Sequence, residues 1–139
     1  MKTHYTYDEI NIGDSASFAK TISEGDVYLF AGITGDVNPL HVNQPVAEKS
    51  LFKSRVAHGC LVDSLVSTVL GMKLPGEGTI FLEKSVKYLK PVYLGDTITA
   101  TIKAAEKLEK GRIRFDITYV NQKGDEVISG SCLVIAPRE

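Results

Sequence analysis

Asp36 and His41 stand five positions apart in the stretch Thr34-Gly35-Asp36-Val37-Asn38-Pro39-Leu40-His41. An imidazole titrates near neutral pH, and a carboxylate within reach can orient it or share a water with it. The pair is therefore a candidate for general acid/base work. Gly35, Asp36, Asn38 and Pro39 are turn formers, and they follow an apolar helical pattern. Loops carried on rigid elements are where catalytic groups tend to sit. A plain turn accounts for part of the same pattern: Asp36 and Asn38 can bond neighbouring backbone in Asx turns, and Pro39 stiffens the path.

A second constellation is Ala57-His58-Gly59-Cys60, at the start of a long apolar segment. The first-turn N–H groups of a helix have no partner within it. With no side chain on Gly59, they could face a developing negative charge, as in an oxyanion hole. The structural alternative is that Gly59 admits a neighbouring backbone. Ser67 lies eight residues on, on the same helical face; a hydroxyl bonded to the preceding turn is an equal reading of it.

The elements that must position these groups follow from periodicity. Residues 5–14 read as an irregular lead-in, and 15–22 as a short strand. Ser23 is a helix N-cap with Glu24 and Asp26 in the positive first turn; Val27, Phe30 and Ala31 follow at helical spacing, and the helix stops near 32–35. Asn43 is a second N-cap, with Pro45 near the first helical position and a short helix to about residue 50. Residues 56–70 are apolar almost all round, which predicts one long, buried helix of about 21 Å at roughly 1.5 Å per residue. From Gly78 the period becomes two: strands are expected over 79–89, 97–105, 112–119 and 126–136. Strands joined by short loops form an antiparallel meander, and its apolar face needs the 56–70 helix as cover. The expected architecture is α+β, one domain over residues 1–139, with a long central helix wrapped by a curved antiparallel sheet.

The chain has 139 residues, 43% hydrophobic and 24% charged, with net charge -1. This is ordinary globular usage, and it gives no global signal for nucleic acid or an anionic membrane surface. Cys60 and Cys132 have no metal-ligand spacing and read as small buried thiols in a reducing compartment. The first residues are polar, without the apolar core of a secretory signal. Residues 56–74 include His58, Asp63 and Lys73 and make a poor membrane span. A cytoplasmic protein without membrane partners is expected.

The run from Phe30 to His41, followed by Ala47, resembles the signature of the MaoC-like dehydratases, and among them most resembles the (R)-specific enoyl-CoA hydratases. The resemblance continues through Arg55-Val56-Ala57-His58-Gly59 and over Leu89-Lys90-Pro91-Val92 and Gly95-Asp96. It implies a hot-dog fold, a homodimer or higher homo-oligomer with sheets joined edge to edge, and reversible hydration of a trans-2-enoyl-CoA to an (R)-3-hydroxyacyl-CoA. Carried onto this chain, it makes Asp36 and His41 catalytic and the Gly59 N–H the oxyanion donor, with Asn38 and Ser67 in support. It implies no metal and no cofactor, coenzyme A entering only as part of the acyl-CoA thioester substrate.

Other readings of the same fold are an acyl-CoA thioesterase, an acyl-carrier-protein dehydratase and a non-catalytic acyl-binding module. Asp63 keeps the thioesterase open, because such enzymes commonly place a carboxylate on or beside the long helix. If Asp63 faces the core it needs a partner. Candidate contacts for the coenzyme A phosphates are Lys53, Arg55, Lys84, Lys87 and Lys90, although solvated surface charge is the stronger reading of each.

Overall fold

A computed structural model describes residues 1–139. Five strands form a single antiparallel sheet in the order β1-β3-β4-β5-β2: β1 Ser15–Thr21, β2 Ile80–Tyr88, β3 Thr97–Lys107, β4 Arg112–Val120 and β5 Glu126–Ile135. Alternation sets the faces. Ile98, Ala100, Ile102 and Ala104 of β3, and Ile113, Phe115, Ile117 and Tyr119 of β4, are all buried. Residues between them on β4, such as Asp116 and Thr118, are exposed. Each large apolar side chain buried in this way stabilises the fold by about 1.5–3 kcal/mol.

Strands β3, β4 and β5 form the expected meander, but β2 does not pair with β3. It crosses the sheet and joins β5 at the far edge, Ile80 opposite Ile135 and Tyr88 opposite Ile128. Its backbone packs closely there. A Cβ on Gly130 would lie 1.9 Å from the Ser85 carbonyl oxygen, so only glycine permits the pairing. As an edge strand, β2 leaves Ile80, Phe81, Leu82 and Tyr88 exposed.

Five helices precede or cover the sheet: α1 Glu24–Thr34, α2 Pro39–Val42, α3 Gln44–Glu48, α4 Gly59–Asp63 and α5 Val66–Met72. Ser23 caps α1 in a reciprocal box with Asp26, with bonds of 3.0 and 2.9 Å, and Gly35 ends α1 in the left-handed conformation at φ 81°. Asn43 caps α3 through the Val46 N–H.

The long helix differs from expectation in two ways. It begins at Gly59, because Val56 and Ala57 are extended and pair with the 92–93 segment, the Ala57 N–H donating to the Val92 carbonyl at 2.7 Å. It is also interrupted at Ser64 and Leu65, where bonds switch to i→i+3: Leu65 N–H to Val62, Ser67 N–H to Ser64. Both residues keep right-handed helical dihedrals, so the axis continues through a 3-10 tightening. Val62, Leu65, Val66, Val69 and Leu70 join the strands in one hydrophobic cluster. Cys132 is buried as expected, whereas Cys60 is exposed on the first turn of α4.

Candidate active site

Asp36 lies just beyond the left-handed end of α1, and the turn reading of its surroundings holds in full. Its N–H donates to Thr34 Oγ1 at 3.1 Å, and its Oδ1 accepts the Asn38 N–H at 3.1 Å. Asn38 caps α2 by accepting the Leu40 N–H at 3.0 Å. His41 therefore rides on a one-turn helix and not on an irregular loop, since Asn38 and Pro39 are together a helix start. This scaffold leaves Oδ2 of Asp36 free, with the side chain 52% exposed.

His41 is set against the 52–57 connector. The Val56 N–H donates to the Leu40 carbonyl at 3.1 Å, and the Val56 carbonyl lies 2.6 Å from His41 Nδ1. A carbonyl can only accept, so Nδ1 carries the proton and the neutral ring keeps its lone pair on Nε2. Arg55 anchors the connector to α1 through Tyr28 Oη and Glu24 Oε1, each 2.9 Å away. The Glu24 carboxylate holds the Arg55 guanidinium above its usual pKa. Arg55 is thus engaged within the chain, and Lys84 is paired with Asp63. Lys53, Lys87 and Lys90 remain exposed, Lys90 with Asp125 at 3.6 Å.

His58 completes the cluster, and sequence reasoning gave it no role. It is buried, its ring stacked on His41 with centroids 3.8 Å apart and tilted against Phe30 at 4.9 Å. Its Nε2 donates to the Asp36 main-chain carbonyl at 2.9 Å and lies 4.0 Å from Asp36 Oδ2. The available signal was the adjacency of His58 to Gly59, which drew attention to the glycine alone. Polar atoms of Asp36, His41 and His58 lie within 4.8 Å of one another. That spacing is also one a metal could use, since the backbone bond to Nδ1 leaves His41 Nε2 available either for a proton or as a ligand.

Gly59 opens α4, and no acceptor within the chain takes the Gly59 or Cys60 N–H. What occupies the space of the missing side chain is the ring of Tyr88, whose Cε1 would lie 2.6 Å from a Cβ there. An open cavity of about 530 Å³ adjoins this turn, lined mainly by apolar residues including Val56, Ala57, Val62, Val92 and Ile128. Asp36 and His41 are not among the residues lining it, but His41 is bonded to the carbonyl of Val56, which is. Ser67 is exposed on α5 and is not among the cavity residues.

Asp63 faces the interior and has partners. It is 4% exposed and accepts from Lys84 Nζ and Tyr88 Oη, while its main-chain carbonyl accepts from Tyr119 Oη. Burial and the Asp63 carboxylate push the Tyr88 and Tyr119 hydroxyls above the usual phenol range, so both stay donors.

A five-stranded antiparallel sheet covered by a central helix, with an aspartate and histidine beside that helix's free first turn, defines a hot-dog enzyme of the hydro-lyase type. The model for the MaoC like domain matches residues 9–125, and the chain belongs to that family. It is 44% identical to an (R)-specific enoyl-CoA hydratase of Rhodospirillum rubrum, over 96% of this chain and 92% of that one. It is 36% identical to a 3-hydroxybutyryl-CoA dehydratase of Methylorubrum extorquens, over 96% and 85%. Among solved structures, the unliganded R-hydratase PhaJ1 from Pseudomonas aeruginosa matches with a TM-score of 0.95 at 37% identity, over 99% of this chain and 88% of that one. The (R)-hydratase from A. caviae, involved in PHA biosynthesis, matches at 0.89 and 31%, over 92% and 98%.

Proposed function

We propose that this protein is an (R)-specific enoyl-CoA hydratase that adds water reversibly across the C2=C3 bond of a trans-2-enoyl-CoA. The observation that carries the reading is the cluster of Asp36, His41 and His58 within 4.8 Å, beside an α4 first turn whose N–H groups are free. Asp36 Oδ2 and His41 Nε2 hold a water and take its proton as its oxygen bonds to C3. The π pair moves toward the thioester, and the Gly59 N–H stabilises the enolate oxygen. Return of a proton to C2 collapses the enolate and completes the (R)-3-hydroxyacyl thioester. The thioester is the electron sink, so the residues present suffice without metal or redox cofactor. Asn38 supports by capping α2 and thereby fixing His41.

The thioesterase reading needs a carboxylate free to act. Asp63 is buried and doubly bonded behind the cavity wall, which weighs against it. The enzyme acts as a homodimer joined along β2, whose exposed apolar edge is the kind of surface that natural sheets cover or pair. No helix is long and apolar enough to cross a membrane. The testing assay is the absorbance of crotonyl-CoA. Its loss without free thiol is the expected result; release of free thiol, or no change with folded protein, overturns the reading. Light scattering of the purified protein tests the dimer, and a monomer mass would exclude it.

A further inference from the structure

Tyr88 is a cavity residue that the hydration mechanism leaves unused. Its ring packs against Gly59, where a Cβ would lie 2.6 Å from Cε1 and 2.9 Å from Cδ1. The same ring forms the cavity wall together with Val62 and Ile128. Its hydroxyl donates to the Asp63 carboxylate, which also receives Lys84 Nζ. Neither Asp63 nor Lys84 lines the cavity, so this polar cluster lies behind the ring. The ring cannot swing aside without taking a hydrogen bond from a buried carboxylate, and a buried acceptor left unmatched is costly. A growing alkyl chain would meet an ion pair there in place of apolar space.

We propose that Tyr88, clamped by Asp63 and Lys84, is the specificity-determining wall that confines this site to short-chain acyl thioesters. The proposal rests on the hydratase reading, in which the thioester carbonyl sits at the Gly59 N–H. Tyr88 stands beside that donor, so the first few carbons of the acyl chain are the ones it limits. One extra methylene that a pocket cannot accept is worth roughly 10–200-fold in selectivity.

The test is calorimetric binding of the unreactive saturated thioesters butyryl-CoA and octanoyl-CoA, run beside hydration of crotonyl-CoA. The wild-type protein is expected to bind butyryl-CoA on the order of a hundredfold more tightly. Tyr88→Ala should remove at least about tenfold of that gap, and Tyr88→Phe, which keeps the ring but loses the clamp, should shift it the same way by less. Tyr88 is the last residue of β2; circular dichroism and light scattering check that both variants fold and associate like wild type, and the phenylalanine variant carries the test if alanine fails. Equal binding of the two lengths by wild type, or an unchanged ratio in a folded variant, overturns the proposal. Length discrimination without crotonyl-CoA hydration sinks the hydratase reading alone.

Discussion

The imidazoles of His41 and His58 stack 3.8 Å apart with 27° between their planes, and His58 Nε2 donates to the main-chain carbonyl of Asp36 at 2.9 Å. One buried ring thus touches both members of the proposed acid/base pair, the histidine by its face and the aspartate through its backbone. Removing it should loosen both. His58→Ala is expected to lower kcat by about 10–100-fold, the scale of small misplacements in catalytic geometry, with a smaller change in KM. His58→Phe keeps the stack but lacks the Nε2–H, and should stay well below wild type. A normal kcat in His58→Phe would show that the hydrogen bond to Asp36 does not matter.

Asp36→Asn and His41→Gln should each reduce crotonyl-CoA turnover by at least about two orders of magnitude, the scale of a general acid or base. Asparagine keeps the acceptor for the Asn38 N–H, and Asp36 is half-exposed, so its unfolding midpoint should hardly move. Near-normal turnover in either variant removes that residue from the mechanism.

The Asp63–Lys84 pair is a stability element. Asp63 is almost wholly buried and Lys84 partly so, with side chains 5% and 29% exposed. Removing one partner of a buried pair typically costs about 3–5 kcal/mol, whereas replacing both by apolar residues is often neutral. Lys84→Ala should therefore lower the urea midpoint markedly, and Asp63→Leu with Lys84→Met should recover most of the loss. A recovery that fails would show that the polar bonds themselves hold β2.

Acid should destabilise the protein in part through the start of α1. Lys20 and the Ser23 backbone hold the Asp26 carboxyl below its ordinary pKa. A folded pKa below the unfolded one means the stabilisation is present above the unfolded value, about 4, and is lost as pH falls through the folded value. Asp26→Asn should therefore lower the melting temperature at pH 7 and flatten its fall between about pH 5 and pH 2. Parallel melting curves for variant and wild type over that range would assign the acid loss to other carboxylates.

Much was legible in the sequence because the signals are local. Period-two alternation placed β3 and β4 and sorted their faces, since consecutive strand residues point to opposite sides; β5 was expected as a strand, but its burial does not alternate. Ser23, Gly35 and Asn43 are all found at helix ends, where their side chains or backbone freedom satisfy groups the helix cannot. Although the helix was expected from residue 56 and begins at Gly59, the Asp36/His41 spacing and the turn around Gly59 came from equally short stretches. The one-turn helix under His41 did not, because four residues carry no periodicity of their own.

What tertiary structure alone decided is which distant groups meet. An all-round apolar pattern cannot show where a helix tightens, so the 3-10 step at Ser64 and Leu65 was invisible. Alternation gives a strand its faces but not its neighbour, so β2 could not be placed beside β5, where Gly130 admits it. For the same reason Lys84 and Tyr88, more than twenty residues from Asp63, could not be read as its partners. His58 is bound to Asp36 across 22 positions. The residue types and turns of this protein's chemistry were thus written locally, while the contacts that orient and limit that chemistry are long-range and exist only once the sheet has closed around the helix.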